Sequence, residues 1–225
     1  MKKKIVCIIP ARKNSSRLKL KNLKKLGKIS LVEHTILQAK KSNIFDKIYV
    51  STDILKLKSI CVKHDVEFFY RKEYVDNISS VSLATHDLIK KKKLNVSFDF
   101  VIQLMVTCPL RKPIDIQKSF NNFIKKKNNF QISAFRISWL HFSWAYLLKK
   151  NELIKYFNND KAISDNHILF PTGAIWIAKM SNFIKSKTFF GPNFKFFEIS
   201  WISAIDIDTK EDLKNVKLIY NSIKN

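Results

Sequence analysis

The apolar residues in the first half of the chain follow two alternating spacings. Apolar runs of strand length occupy residues 5–9, 46–52, 66–70 and 98–106 and predict buried strands. Apolar positions at helical spacing predict helices over residues 31–41, 54–64 and 76–91, the first beginning after an N-cap at Ser30. This alternation predicts an α/β fold with a doubly wound, mostly parallel sheet.

The second half of the chain predicts a different mixture of elements. Strands are expected at residues 131–137, 144–148, 170–177 and 204–207, and an amphipathic helix at 210–223. Aromatic residues are dense after the first of these strands, at Trp139, Phe142, Trp144, Tyr146, Tyr156 and Phe157. They are consistent with core, an oligomer interface or a lid. Since no linker or repeat divides the chain, we expect one domain over residues 1–225, with an excursion at roughly 135–165.

A polar, basic loop covering residues 12–22 follows the first strand, which we expect Pro10 to end. Its turn-forming residues and cations are Asn14, Ser15, Ser16, Arg12, Lys13, Arg17, Lys19 and Lys21. Exposed amides and cations at the carboxyl end of a parallel strand are where α/β proteins bind ligands, and phosphate uses both. The loop is therefore interpreted as a phosphate cradle. The alternative is a basic surface loop in a lysine-rich protein.

A pair of aspartates, Asp206 and Asp208, lies in the last predicted strand. Carboxylates at i and i+2 of an extended strand project to the same face and can share one divalent cation. The alternative is a solvent-facing strand edge at which Asp208 or Thr209 caps the next helix. Two unneutralised aspartates so close together would repel each other, so a cation is expected nearby, and a lysine could serve.

The net charge of +24 would ordinarily indicate a nucleic-acid or anionic-membrane partner. Its distribution argues against both, because the lysines are spread along the whole chain. Of the 42 basic residues the arginines are Arg12, Arg17, Arg71, Arg111 and Arg136. We interpret the lysines as solvated surface and the arginines as candidates for bidentate anion recognition.

The location is predicted from the cysteines and from the apolar runs. Cys7, Cys61 and Cys108 are odd in number and widely spaced, which favours free thiols in a reducing compartment. No apolar run approaches about 18 residues, and no signal-peptide pattern opens the sequence. A cytoplasmic protein is expected.

The basic loop also resembles the amino-terminal signature of the CMP-sialic acid synthetases (N-acylneuraminate cytidylyltransferases), which include CMP-legionaminate-type enzymes. The resemblance lies in Ile9-Pro10-Ala11-Arg12, Asn14-Ser15, Leu18 and Lys21-Asn22-Leu23. Many family members have glycine at the position of Asn14, and asparagine tolerates the same left-handed backbone. Further matches in the same order are Ser51-Thr52-Asp53, Arg71, Thr107-Cys108-Pro109-Leu110-Arg111 and Ile205-Asp206-Ile207-Asp208-Thr209.

The resemblance implies a nucleotide-diphospho-sugar transferase-like fold and a Mg²⁺-dependent transfer of CMP from CTP to a nine-carbon 2-keto-3-deoxy sugar acid. Nucleotide binding is then expected from Ala11, Arg12, Ser15, Lys21, Asn22, Arg71 and Ser80. Catalysis is expected from Arg12, Lys21, Asp206 and Asp208, with the two aspartates also holding Mg²⁺. The family forms dimers through a projection from the aromatic-rich part of the fold, so a homodimer is expected, with roughly residues 135–165 as the dimerisation excursion.

The acceptor side departs from the family pattern at two positions. Met105 stands where the family has glutamine, and Gln103, on the same strand face, is a partial substitute. Thr172 stands where the family has asparagine. The residues expected to contact the substrate are Gln103, Met105, Thr107, Arg111 and Thr172. Losing polar partners affects recognition of the sugar more than that of the nucleotide.

Two other functions remain open at this point. The first is CMP-Kdo synthesis with an eight-carbon acid. The tripeptide Lys21-Asn22-Leu23 favours the nine-carbon branch, because at this position the Kdo enzymes have a sequence similar to Gly-Lys-Pro-Leu. The second is a basic protein that keeps the nucleotide-binding fold and binds nucleic acid or an anionic surface without catalysis. Its support is the +24 charge together with the changes at Met105 and Thr172. Our preferred interpretation predicts neither a nucleic-acid nor a membrane partner.

Overall fold

A computed structural model of the protein describes residues 3–76, 79–137, 145–149, 152–156 and 168–224. The strands are β1 (Ile5–Ala11), β2 (Lys25–Leu26), β3 (Ile29–Ser30), β4 (Lys47–Thr52), β5 (Glu67–Tyr70), β6 (Phe100–Gln103), β7 (Phe130–Phe135), β8 (Tyr146–Lys149), β9 (Glu152–Lys155), β10 (Phe170–Lys179) and β11 (Lys195–Glu198). The α-helices are α1 (Leu31–Ser42), α2 (Leu57–Lys63), α3 (Val81–Lys91), α4 (Pro113–Lys125), α5 (Met180–Ser186), α6 (Trp201–Ala204) and α7 (Lys210–Lys224).

The main sheet of the described chain has the strand order β11-β7-β10-β6-β1-β4-β5. All its neighbouring strands are parallel except β10, which runs antiparallel to both β6 and β7. The predicted α/β class with a mostly parallel sheet is confirmed. Since β1 lies near the centre, the loop that follows it emerges in the middle of one edge of the sheet.

Strand β1 is longer than expected, because Pro10 continues it instead of ending it. The strand pairs with β6 only from Ile5 to Ile8, whereas its pairing with β4 extends to Ala11. Beyond Ile8 one side of the strand is therefore free of ladder hydrogen bonds. Proline is tolerated where its missing N–H has no ladder partner to serve.

Helices cover the main sheet on both faces, and β1 contributes alternate side chains to each. Cys7 and Ile9 join the core beneath α1 and α4, whereas Val6 and Ile8 join the core beneath α3 and α5. All four side chains have no exposed surface. This double burial explains why the sequence of β1 is continuously apolar.

Several elements differ from the sequence-based predictions. Helix α3 begins at Val81 after an N-cap at Ser80, and the predicted Ser30 cap of α1 is confirmed by its acceptance of the Glu33 N–H at 3.3 Å. The predicted strand at 204–207 is wrong. Ala204 ends α6, and the chain then runs outside the sheet until α7 begins. The elements that were not predicted are helices α4, α5 and α6 and strands β2, β3, β9 and β11.

Strands β8 and β9 form an antiparallel hairpin that belongs to the predicted excursion. Trp139, Phe142, Trp144 and Phe157, and most of residues 135–165, lie outside the described residues. Within the described part of the chain, no helix is both long and apolar enough to cross a membrane.

Candidate active site

A cavity of about 260 Å³ lies where β1, β5 and β6 end, as expected for a ligand site in a parallel sheet. Arg12 follows β1, Arg71 follows β5, and Met105 and Thr107 follow β6. The complete lining consists of Pro10, Arg12, Ser15, Lys21, Asn22, Arg71, Tyr74, Ser79, Val81, Met105, Val106, Thr107, Asp206 and Asp208. The basic loop and the aspartate pair therefore face one space.

A larger groove of about 670 Å³ lies at the opposite edge of the sheet, where β4 and β5 begin. Lys47 and Glu67 pair across it at 3.0 Å, and its lining mixes both signs of charge. The smaller cavity is the better candidate because cations from the loop and carboxylates from the end of the chain converge there.

The basic loop is held in place by hydrogen bonds on both sides of the cavity. The Asn22 amide donates to the Arg12 carbonyl at 2.7 Å, and the Lys13 N–H donates to the Asp53 carboxylate at 2.6 Å. The Arg12 guanidinium donates to the Asp76 carbonyl. A short 3-10 turn at Lys21–Leu23 buries the Lys21 and Asn22 side chains. The loop is thus preorganised by its hydrogen bonds to the rest of the fold.

Lys21 joins the basic loop to the aspartate pair. Its Nζ donates to the Ile207 carbonyl at 2.7 Å and to Oδ1 of Asp208 at 2.8 Å. Arg17 Nη2 lies 2.7 Å from Oδ2 of the same carboxylate. Asp208 is therefore neutralised by two cations from the loop.

Asp206 has a different environment from Asp208. No ion pair to Asp206 is found in the described chain. Its pKa is raised, first by desolvation among the surrounding protein atoms and then by the charges of Asp208 and Asp212, against the lowering effects of Thr107 and Lys21. A carboxylate whose charge is poorly compensated favours binding of a cation.

Asp212 anchors the start of α7 behind this pair. Burial acts to raise its pKa, but hydrogen bonds from the Asp208 and Thr209 amides outweigh burial, with help from the charge of Arg17, and the net shift is downward. The two amides donate to Asp212 at 2.9 and 2.7 Å. These bonds fix the backbone that carries Asp208.

The aspartate pair was tested for its fit to Mg²⁺. The described residues contain no cluster of three or more carboxylate, histidine or cysteine ligands. Mg²⁺ typically takes one or two carboxylates and completes its shell with water and substrate phosphates, so a pair of aspartates beside a basic loop fits. The poor charge compensation of Asp206 supports the same assignment.

Arg71 lies at the β5 side of the cavity, where it is 3% exposed. Its Nη1 donates to the Tyr74 carbonyl at 2.9 Å, but the buried Nε has no hydrogen-bond partner among the described residues. Burial lowers the pKa of Arg71, and the nearby charge of Arg12 lowers it further against the opposing effects of Asp53 and Asp87. An anion bound in the cavity would relieve the repulsion between the positive charges of Arg12 and Arg71.

Some residues predicted for the site do not line the cavity. Ser80 caps α3, where its hydroxyl accepts the Ser82 N–H at 3.3 Å, and Ala11 is buried at the end of β1. Gln103 is buried and accepts the Thr85 hydroxyl at 2.6 Å. The Thr172 hydroxyl donates to the Ala204 carbonyl at 3.0 Å. Of these residues, Ala11, Gln103 and Thr172 are buried, whereas Ser80 is exposed but does not line the cavity.

Arg111 needs a correction, because it was predicted to contact the substrate but lies inside the protein with 1% exposure. Its guanidinium donates to the Ala174 carbonyl at 2.6 Å, to the Met105 carbonyl at 3.2 Å and to the Gln38 side chain at 3.1 Å. The guanidinium therefore links β10, the chain after β6, and α1. Its effect on the cavity passes through the backbone of Met105.

Five lining residues were not predicted for the site, namely Pro10, Tyr74, Ser79, Val81 and Val106. Val81 was assigned to the apolar positions of the helix predicted at 76–91, Ser79 was considered only as a helix cap, and Tyr74 lies between the predicted strand at 66–70 and that helix. The Ser79 hydroxyl donates to the Asp76 carboxylate at 2.8 Å, in the stretch whose Asp76 carbonyl also binds Arg12. The signal available in the sequence was the predicted placement of Arg71 just before this stretch.

An α/β sheet with a cationic loop after its first strand and paired aspartates opposite defines a nucleotide-binding enzyme of the nucleotidyltransferase class. The cytidylyltransferase family model matches residues 6–222. The chain belongs to the cytidylyltransferase family. The predicted resemblance and the predicted enzyme class are thereby confirmed.

Curated relatives cover most of the chain. It is 31% identical to a CMP-N,N'-diacetyllegionaminic acid synthase of Legionella pneumophila, with 93% of each chain covered. It is 27% identical to a pseudaminic acid cytidylyltransferase of Campylobacter jejuni, over 96% of each chain. It is 28% identical to an N-acylneuraminate cytidylyltransferase of Streptococcus agalactiae over 95% of this chain, which spans about half (52%) of that relative.

Solved structures share the fold at lower sequence identity. A CMP:2-keto-3-deoxy-manno-octonic acid synthetase complexed with CTP superposes with a TM-score of 0.73, at 16% identity and with 98% and 99% of the two chains covered. The 4-diphosphocytidyl-2C-methyl-D-erythritol synthase of Anaerococcus prevotii gives a TM-score of 0.70 at 16% identity, over 97% and 96% of the chains. These similarities confirm the predicted fold.

Proposed function

We propose that this protein transfers CMP from CTP to the anomeric hydroxyl of a nine-carbon, sialic-type (nonulosonic) acid in a Mg²⁺-dependent reaction. The observation that carries the proposal is the meeting of Arg12, Ser15, Lys21 and Asn22 with Asp206 and Asp208 in one cavity. The names of the relatives point to the same acceptor class, since they are synthases for legionaminic, pseudaminic and N-acylneuraminic acids.

The proposed reaction is an in-line displacement at the α-phosphorus of CTP. The anomeric oxygen of the acceptor forms the new bond to phosphorus, the bond to the bridging oxygen of the β-phosphate breaks, and pyrophosphate leaves. The hydroxyl proton passes to a carboxylate of the aspartate pair, which lines the same cavity. Catalysis is otherwise positioning and neutralisation of charge.

Different residues of the cavity would bind different parts of the two substrates. Arg12, Ser15, Lys21 and Asn22 would bind the triphosphate and ribose, and Arg71 would face the nucleotide from the β5 side. Asp206 and Asp208 would hold Mg²⁺, which when bound supplies positive charge to the phosphates. Because Met105 and Val106 line the cavity beside Thr107, the acceptor meets a wall that is partly apolar.

Direct evidence for this function would come from pyrophosphate release measured with CTP, Mg²⁺ and a panel of acceptors. The panel contains N-acetylneuraminic, legionaminic, pseudaminic and 2-keto-3-deoxy-manno-octonic acids. We expect turnover with a nine-carbon acid that is lost in Asp208→Asn. The matched control is Asp65→Asn, which makes the same chemical change at an exposed residue whose left-handed backbone (φ 51°) asparagine also tolerates.

Two results would contradict the proposal in different ways. Turnover with the eight-carbon acid alone would assign CMP-Kdo synthesis. No pyrophosphate release with any acid, combined with DNA binding whose affinity falls steeply with salt, would assign a basic binding protein.

We also propose that the protein acts as a cytoplasmic homodimer held by the β8–β9 hairpin. Support comes from the exposed apolar side chains of this hairpin, which are Tyr146, Leu147, Leu148, Leu153 and Ile154, and from the exposed Tyr156 directly after it. Such a concentration of apolar surface is typical of interfaces. Light scattering should show a dimer that Leu148→Asp dissociates and that Leu55→Asp leaves intact, since the two leucines are equally exposed (67% and 66%). A dimer that survives the hairpin substitution would refute this interface.

A further inference from the structure

The two aspartates of the cavity are not equivalent in the ligand-free protein. Both carboxylate oxygens of Asp208 are occupied, Oδ1 by Lys21 and Oδ2 by Arg17. Asp206 has no ion pair within the described residues. A divalent cation that enters the cavity therefore finds Asp206 available, but can reach Asp208 fully only if one of its cationic partners leaves.

Arg17 and Lys21 differ in how firmly they are held. The Lys21 side chain is 10% exposed and its Nζ also donates to the Ile207 carbonyl, so its position is fixed by the backbone. The Arg17 side chain is 65% exposed and reaches Asp208 from the loop surface. Exposed ion pairs contribute little to stability and exchange readily. Arg17 is therefore the partner that can be displaced.

The place to which Arg17 can move is set by its own loop. It lies between Ser15 and Lys21, two of the residues proposed to bind the triphosphate. A guanidinium has the fork geometry that binds phosphate oxygens in a bidentate manner. Arg17 does not itself line the cavity, but its guanidinium lies on Asp208, which does. Phosphates held by Ser15 and Lys21 would therefore offer the same side chain a second anion, of higher charge.

We propose that Arg17 is a positioning residue that exchanges partners, neutralising Asp208 in the empty site and transferring to the nucleotide phosphates when CTP binds. The exchange frees Oδ2 of Asp208 for Mg²⁺ at the moment when the phosphates arrive. Binding of the metal and binding of the nucleotide are thereby coupled through one side chain. This inference rests on the proposed function, since it takes the occupant of the loop to be a nucleoside triphosphate.

The coupling can be tested without turnover by measuring Mn²⁺ binding to the nucleotide-free protein by electron paramagnetic resonance. In Arg17→Gln the metal no longer competes with an ion pair, so we expect the Kd for Mn²⁺ to fall about fivefold, the scale of an exposed ion pair. Arg17→Lys keeps the charge and should restore the wild-type value. The matched control is Lys19→Gln, which removes one positive charge from an exposed position of the same loop and should change the Kd less than about twofold, since screening by water and salt is strong there.

The second measurement is CTP binding in the presence of EDTA. Arg17→Gln should weaken it by about fivefold or more, because a charge-assisted contact to phosphate is lost. Tighter metal binding together with weaker nucleotide binding is the signature of partner exchange. An ion pair that only occupied Asp208 would give tighter metal binding without weaker nucleotide binding, and that result would overturn the exchange.

The outcomes separate this inference from the proposed function. If Arg17→Gln binds Mn²⁺ no more tightly than Lys19→Gln, the exchange is refuted, even if the wild-type protein turns over CTP. If the metal and nucleotide affinities shift as expected but no acceptor gives pyrophosphate, the exchange stands and the proposed reaction fails.

Discussion

The sharpest structural prediction concerns Arg111, whose guanidinium is buried in the described chain without a carboxylate partner. We consider Arg111→Met, which keeps much of the side-chain volume and removes the charge and all the donors. The substitution leaves the carbonyls of Met105 and Ala174 without this donor, and the Gln38 side chain loses its bond as well.

The magnitude follows from these bonds. Hydrogen bonds to a charged group contribute about 1.5–3 kcal/mol each, and a buried acceptor left without a partner costs about 1–3 kcal/mol. Part of this loss is offset, because the substitution also removes the cost of burying the positive charge of Arg111. That cost is the reason why burial lowers the pKa of Arg111. We expect the free energy of unfolding to fall by about 3–5 kcal/mol, as when one partner of a buried polar network is removed.

Urea denaturation followed by tryptophan fluorescence measures this loss. The control is Arg136→Met, which breaks an exposed pair with Glu198 at 2.9 Å and should cost no more than about 1 kcal/mol. KM for the acceptor should change little for Arg111→Met at temperatures where the variant stays folded. A variant of normal stability with a sharply raised KM would refute our reasoning and restore Arg111 as a residue that contacts the substrate.

Three further predictions concern a buried carboxylate, a glycine and the cavity. Burial acts to raise the pKa of Glu33, but hydrogen bonds from Lys63 and His64 outweigh it and lower the pKa. Glu33→Gln should therefore cost about 1–2 kcal/mol in urea melts at pH 7, and the difference should vanish as the pH falls through the lowered pKa, below about 4.3. Gly191→Ala should cost about 1–3 kcal/mol, because its Cβ would overlap the Phe130 ring; an unchanged melting temperature would contradict this packing. Asp206→Asn should raise the melting temperature of the ligand-free protein at neutral pH, and this gain should disappear at acidic pH, where the raised pKa leaves Asp206 protonated in the folded state; a gain at every pH would contradict this origin.

The elements that could be predicted are those whose signal is local. Strand β1 is apolar at every position because both of its faces are buried. Ser30 marks the start of α1, because its side chain caps the helix through the N–H of Glu33, only three residues further on. Helix α4 was missed although Pro113 at its first turn and the Asp115 bond to the Lys112 N–H are also local signals.

The candidate site was predictable in composition but not in every orientation. Asp206 and Asp208 face the same cavity as Lys21, although the strand that was expected to align them does not exist. The segment between α6 and α7 lies outside the sheet, yet it brings both aspartates to the cavity. The inward direction of Arg111 could not be predicted, because it depends on carbonyls of Ala174 and Met105 that only the assembled sheet brings together.

The bonds from Lys21 to Ile207 and Asp208 join positions that are 186 and 187 residues apart in the chain. A ribosome that adds about 5–20 residues per second needs roughly 10–40 s to cover that distance. During this interval the emerging loop has no aspartate pair to meet. A partly synthesised chain that lacks residues 206–208 therefore carries the basic loop without the aspartate pair, and the cavity gains its full lining only after these residues have emerged.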